Sequence, residues 1–323
     1  EWDAITYLNI NTIDSDDDIE DKVKSVSYSP DGTRILIIMR KYSGIFSVNY
    51  ETTILQKETG TTSTIGTEIT GSNISKVMYS PDGTRIIGIK SIEEVRQWDA
   101  DNGTEFSGSR IVDSNSNILS MDISPDGTRI VTGQNDGYLR IWDASNGNLE
   151  ETSSLEHKTD VKCVKYNPAG TMITSGDENR SIRLWYNDGS YSGELFLGHT
   201  MSITCMEISP DGLHIVTGSE DTTLCIWETL TGKQIMLPLY GHTDHVTSVS
   251  FRGTGNYFAS GGNDNTVRIW DLSGESIGTL TDHSSNVTCV RWSSNGNYLV
   301  SSDASGIILV YDTSSVSYDV SYS

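Results

Sequence analysis

The hexapeptide SPDGTR occurs three times, at residues 29–34, 80–85 and 124–129, each time after a β-rich run. Turn chemistry explains the local pattern. Pro30 has no N–H to give a strand ladder and its fixed φ suits the second position of a type I turn, while Gly32 takes the left-handed conformation that closes a short hairpin. Val23, Val26 and Tyr28 lead into the first copy and Ile35, Leu36, Ile37 and Ile38 follow it, the pattern of two buried strands. Degenerate copies at 167–172 (NPAGTM), 209–214 (SPDGLH), 252–257 (RGTGNY) and 293–298 (SSNGNY) extend the series. The turn glycines then fall at 32, 83, 127, 170, 212, 255 and 296, in steps of 51, 44, 43, 42, 43 and 41 residues. A period in the low forties, with four short strand signals per unit, predicts an all-β propeller of four-stranded blades.

A second series fixes the register about fifteen residues past each glycine: Trp98, Trp142, Trp185, Trp227, Trp270 and Tyr311, most of them followed by Asp. Asn49 stands in the corresponding place of the first unit, so seven units span nearly the whole chain, read as one domain over residues 1–323. GHT occurs at 198–200 and 241–243, with partial forms EHK at 156–158 and DHS at 282–284, and each His lies six residues before Cys163, Cys205, Ser248 or Cys289. The Gly-His, Ser-Pro-Asp-Gly and Trp-Asp signals together resemble WD40 repeats. The Gly-His is absent from the first three units, and the first also lacks the Trp. The resemblance implies a seven-bladed β-propeller of four-stranded antiparallel blades, its ring closed by the N-terminal strand. Residues 4–10 (AITYLNI) are then expected to pair with the third strand of the last unit, leaving the tail at 314–323 as a spare outer strand.

Within single units a His, a Ser or Thr and an Asp have the residue types of a hydrolase triad: His199, Thr217, Asp221 and His242, Ser260, Asp264. With Trp227 and Trp270 these positions resemble the buried hydrogen-bonded tetrad of WD40 proteins, which ties the second and third strands to the loop before the first. An active site needs one such set, whereas this chain repeats it, with weaker versions at His157, Ser175, Asn179, Trp185 and at His283, Ser301, Ser305, Tyr311. The sets are therefore read as structural, and no catalytic residue, cofactor or metal is assigned.

Function is then expected at the surface. The resemblance puts the loops between blades and between second and third strands on one face around the central channel. Lys22, Asn73, Asn117, Asp160, Ser202, His245 and Asn286, each just before an inner strand, would ring its mouth. This set is mostly neutral and polar, with neither the arginines of a phosphopeptide reader nor an aromatic cage. The acidic loop DSDDDIED at 14–21 carries Asp14, Asp16, Asp17 and Asp18. Its Asp alternation starts like a calcium loop, but Ile19 stands where an EF-hand needs Gly and Ser25 where it needs Glu, which excludes an EF-hand. A solvated loop, a docking lip for a basic partner and a non-specific calcium site remain open.

Charge narrows the partners. With 44 acidic against 22 basic residues the net charge is −22 and the chain repels a phosphate backbone, so nucleic acid is excluded in favour of basic or neutral protein surfaces. No apolar run is long enough to span a bilayer, and membrane insertion is excluded. Cys163, Cys205 and Cys289 share one repeated inner-strand site with Ser25, Ser120 and Ser248, a site for small side chains, and Cys225 lies two residues before Trp227. Reduced core thiols favour a cytoplasmic compartment. The chain starts at Glu1 rather than Met, which keeps secretion open, and the sequons at Asn73, Asn102, Asn179 and Asn286 are no more than composition gives by chance. The expected function is a non-catalytic protein-interaction scaffold within a larger assembly. The alternative is an extracellular or filament-forming structural protein that self-associates through its rims or a spare terminal strand.

Overall fold

The computed structural model describes residues 22–42, 48–56, 62–64, 74–151 and 156–313. The expected strand at 4–10, the acidic loop, Asn73 and the tail at 314–323 lie outside these residues. The described strands pair into seven antiparallel sheets, five of four strands and two of three. The innermost strands are Lys22–Tyr28, Lys76–Tyr79, Ile118–Ile123, Val161–Tyr166, Ile203–Ile208, Val246–Phe251 and Val287–Trp292. Each sheet is a meander running outward from its innermost strand. The architecture is an all-β propeller of four-stranded antiparallel blades. Among the described residues no helix is long and apolar enough to cross a membrane.

The turn glycines do what their positions require. Gly32, Gly83, Gly127, Gly170, Gly212, Gly255 and Gly296 all sit at φ between 69° and 79°. In the first turn Gly32 N–H donates to Ser29 O (2.8 Å), Arg34 N–H to Ser29 Oγ (2.9 Å) and Thr33 N–H to Asp31 Oδ1 (3.0 Å). A Cβ on Gly83 would fall 3.5 Å from Pro30 Cδ, one on Gly170 3.3 Å from Pro125 Cδ and one on Gly32 3.4 Å from Ser294 Oγ. Each turn thus packs on the turn of the sheet before it, and the first packs on the last.

The core lies between sheets rather than within them. Val23, Val26, Ile35 and Ile37 of the first sheet pack with Cys289, Val300 and Ile308 of the seventh, and Phe196 of the fourth packs with Trp227 of the fifth. Threonines on the inner strands stitch neighbours together: Thr247 Oγ1 donates to Val287 O (2.6 Å) and Thr288 Oγ1 to Val23 O (3.5 Å).

Register corrects one sequence reading. Trp98, Trp142, Trp185, Trp227, Trp270 and Tyr311 face the second residue of their neighbouring strand: Ile86, Ile130, Ile173, Ile215, Phe258 and Leu299. In the first sheet that residue is Ile35, and its partner is Leu55, while Asn49 pairs with Lys41. The second and third strands here, Arg34–Tyr42 and Val48–Gln56, have nine residues each. The longer hairpin puts the Trp-equivalent place 23 residues past its turn glycine instead of 15, six residues beyond Asn49, and accounts for the 51-residue first step.

Candidate functional site

Three sheets carry a buried polar quartet of His, Asp, Ser or Thr, and Trp, and the seventh carries the same His, Asp and Ser without the fourth member. In the fifth, His199 Nδ1 meets Asp221 Oδ2 at 3.0 Å, His199 Nε2 meets Thr217 Oγ1 at 2.8 Å, and Trp227 Nε1–H donates to the same hydroxyl at 2.9 Å. In the sixth, His242 meets Asp264 Oδ2 at 2.9 Å and Ser260 Oγ at 2.8 Å, and Trp270 donates to Ser260 at 2.9 Å. Every member is satisfied if the imidazole carries its proton on Nδ1: indole N–H to hydroxyl, hydroxyl to Nε2, Nδ1–H to carboxylate. The two carboxylates also accept backbone N–H bonds from Thr200 (2.7 Å) and Thr243 (3.0 Å), the residues that follow each His. The loop before the first strand is thereby tied to the turn between the second and third.

The fourth and seventh sheets build the set differently. His157 pairs with Asp177 (3.0 Å) rather than Asn179, and His283 pairs with Asp303 (2.9 Å) rather than Ser305. Asp177 and Asp303 end their second strands, facing Val161 and Val287, the place that Ser219 holds in the fifth sheet. A carboxylate at the strand end reaches the same imidazole nitrogen as one from the turn. Ser305 instead donates to Asp303 (2.7 Å). His157 and His283 meet Ser175 and Ser301 at 2.6 Å each, and Trp185 donates to Ser175 (2.7 Å). Tyr311 turns away, its hydroxyl donating to Asp282 Oδ2 (3.4 Å).

Two sheets without a His improvise. In the third, Trp142 donates to Thr132 Oγ1 (2.8 Å), which gives its own proton to the amide of the buried Gln134 (2.6 Å). In the second, Gly88 replaces the hydroxyl residue and Trp98 Nε1–H has no partner among the described residues. The side chains of His157, His199 and His242 have no exposed surface and that of His283 only 1%. No substrate reaches these imidazoles without opening a blade.

Burial and hydrogen bonding set the ionisation of the quartets. Burial alone would raise the carboxyls of Asp221 and Asp264, but the bonds from His199 and His242 and from neighbouring donors outweigh it and hold both well below the usual carboxylate range. Asp177 and Asp303 are lowered by the same balance. Burial holds His157 below its ordinary value, against the pull of Asp177 toward the charged form.

The residues expected to ring the channel mouth share one backbone device. The carbonyls of Asn117, Asp160, Ser202, His245 and Asn286 accept N–H bonds of 2.9–3.0 Å from Asn135, Glu178, Glu220, Asn263 and Ala304. They therefore hold equivalent places. Asn286 is exposed, Asn117, Asp160 and His245 are half-buried, and Ser202 is buried. Lys22 begins the first inner strand. Asp160 engages Lys162 Nζ (2.8 Å), and His245 lies 3.9 Å from Asp244.

Two features were missed by sequence reasoning. The first is a set of exposed apolar side chains on the outer segment of the fifth sheet: Leu237 is 84% exposed, Tyr240 75% and Ile235 43%. The backbone of this sheet's outer segment pairs with it, among the described residues, through the isolated bridges Trp227–Gln234 and Leu224–Leu239. The second is a set of cations on the channel wall, Lys24, Lys76, Lys165 and Arg291.

The propeller, its repeated turns and its quartets define a class of repeat scaffold, and comparison with known families agrees. Residues 104–143, 149–186, 191–228, 232–271 and 274–312 each match WD40, the WD domain, G-beta repeat. These stretches cover more than half of the chain, which belongs to the WD40 family. No curated protein matches it.

Proposed function

We propose that this protein is a non-catalytic interaction scaffold: a seven-bladed propeller, closed by the strand at 4–10, that holds partner proteins on its rim and loop-rich face. The exposed apolar side chains on the outer segment of the fifth sheet carry the reading. Soluble monomers rarely keep large side chains such as Leu237 and Tyr240 exposed together beside a segment with an incomplete ladder, because both apolar area and an open strand edge invite a partner. A net charge of −22 favours a basic or neutral partner around that apolar centre. The Asp14, Asp16, Asp17 and Asp18 loop and the channel-mouth residues are further candidate contacts.

Paired captures test the rim. Leu237→Asp and Tyr240→Asp are expected to retain the wild-type melting temperature while losing at least tenfold of each specifically captured partner. Equal capture by wild type and variants would remove the fifth-sheet rim from the reading.

Closure is supported by the last matched repeat, which begins just before the outer strand of the sixth sheet and ends at Asp312 in the third strand of the seventh. The seventh sheet therefore has three strands among the described residues and an edge to fill. Deleting residues 1–13 is expected to lower the melting temperature by about 5 °C, and an unchanged melt would reject closure by this strand. The same edge favours the second reading, self-association, if a tail from another copy occupies it. Loss of an oligomer on deleting 314–323, read by light scattering, would identify that case.

A further inference from the structure

The innermost strands enclose a central cavity of about 160 Å³. At roughly 30 Å³ per water this holds about five waters. Aligned on their apolar positions, six inner strands place Ser25, Ser120, Cys163, Cys205, Ser248 or Cys289 at one site facing this cavity, and the second sheet places Lys76 there. Most of the wall is already committed. Ser120 Oγ donates to Val161 O (3.1 Å), Cys163 Sγ to Gly176 O (3.8 Å) and Thr247 Oγ1 to Val287 O (2.6 Å). Burial pushes the Cys163 and Cys205 thiols up to about 12, so they stay neutral.

The charged groups do not balance. Lys165 Nζ lies 3.2 Å from Glu207 and 3.8 Å from Asp122, which accounts for both nearby carboxylates. Arg291 uses Nη1 on Ser248 Oγ (3.2 Å) and on the carbonyls of Val249 (3.3 Å) and Val290 (2.8 Å). It has no carboxylate within ion-pair distance among the described residues. Lys76 has neither a hydrogen bond nor an ion pair among them. Its exposed surface lies inside the channel, so the amine touches channel water while protein surrounds it. Burial draws its affinity for a proton down, and the positive charges of Arg291 and Lys165 add to the effect. Glu207 and Asp122 act on Arg291 only from beyond contact distance, and two neighbouring cations with no carboxylate in contact are costly in a confined space, a cost that an entering anion lowers for both.

We propose that the channel is a binding site for one small tetrahedral oxyanion, inorganic phosphate or sulfate, held between Lys76 and Arg291. Arg291 presents a planar fork suited to an oxyanion, Lys76 a compact charge, and the cavity is too small for a nucleotide or a lipid headgroup with its chains. An organic phosphate would have to leave its organic part outside.

Calorimetric titration with sodium phosphate and with sodium sulfate tests this, with sodium acetate and sodium chloride at matched ionic strength as controls. The expected result is one-to-one binding of phosphate or sulfate and, at a hundredfold excess over Kd, a rise in melting temperature of about 5 °C. Lys76→Ser puts at this place the residue type that three other sheets carry there, so the blade is expected to fold, and both heat and thermal shift are expected to vanish. Lys76→Arg retains the charge and is expected to keep at least part of the response. The proposal is overturned by absence of heat with both oxyanions, by an equal response in Lys76→Ser, or by acetate or chloride acting as well as phosphate.

Discussion

Thr217→Val is expected to lower the unfolding free energy by about 3 kcal/mol and the melting temperature by about 8 °C. Valine keeps the volume of threonine, so no cavity opens and the hydroxyl is the only group lost. That hydroxyl serves two buried partners at once, accepting from Trp227 Nε1 (2.9 Å) and donating to His199 Nε2 (2.8 Å). Each partner left unsatisfied out of reach of water costs about 1–3 kcal/mol, more than the net gain of a bond between exposed groups. Asp221 continues to hold His199 Nδ1, so the imidazole stays in place with one nitrogen orphaned. Combining Thr217→Val with Asp221→Ala is expected to cost less than the two changes added, because both dismantle one network. Urea denaturation of the two single variants and the double variant measures the coupling. Strict additivity, or a loss below about 1 kcal/mol for Thr217→Val, would show that the quartet is not a unit of blade stability. Trp98 shows that one blade tolerates an unsatisfied indole, where Gly88 lets the ring close over the missing side chain.

What could be read in advance follows the range of the physics involved. The turns were legible because their determinants are local: Pro30, Asp31 and Gly32 settle the hairpin among themselves, and the period of their copies settles the architecture. The register of Trp227 and Trp270 was legible for the same reason, since strand and turn lengths hardly vary between those sheets. Where length varies, counting fails. Spacing points to Asn49, but the longer first hairpin delivers Leu55 to the tryptophan place opposite Ile35. The polar sets of the fourth and seventh sheets were misread for a related reason. Spacing copied from Asp221 pointed to Asn179 and Ser305, whereas an imidazole accepts a carboxylate from either of two backbone positions, and Asp177 and Asp303 supply it from the strand end. An acidic residue directly after Ser-Gly or Ser-Ser was the available signal. Lys76 was visible as the exception at a site for small side chains, but only with all seven inner strands aligned. The exposure of Leu237 and Tyr240 depends on how far the outer ladder of the fifth sheet extends, which apolar periodicity does not encode.

Acidification is expected to destabilise the propeller in two stages, and the signs follow from the quartets. Asp177, Asp221, Asp264 and Asp303 are held below the usual carboxylate range in the fold, with side chains 0–8% exposed. Each binds its proton more weakly folded than unfolded, so unfolding takes up protons. Their contribution is fully present above the unfolded value near pH 4 and is lost as pH falls through it toward the folded values. His157 acts with the same sign at higher pH: its folded value is also depressed, so the unfolded chain gains a proton from about pH 6.5 downward and stability starts to decline there. Asp122 opposes both, because burial raises its carboxyl and its contribution grows as pH falls. One opposing group does not cancel four. Urea midpoints are therefore expected to fall gently between about pH 6.5 and 5 and steeply below about pH 4. Asp264→Asn is expected to be less stable than wild type at pH 7 but to have the shallower acid limb, since the removed carboxylate no longer takes part in the titration. The two curves are then expected to approach each other near pH 3, whereas parallel curves would show that the His242–Asp264 pair does not set the acid limit of the fold.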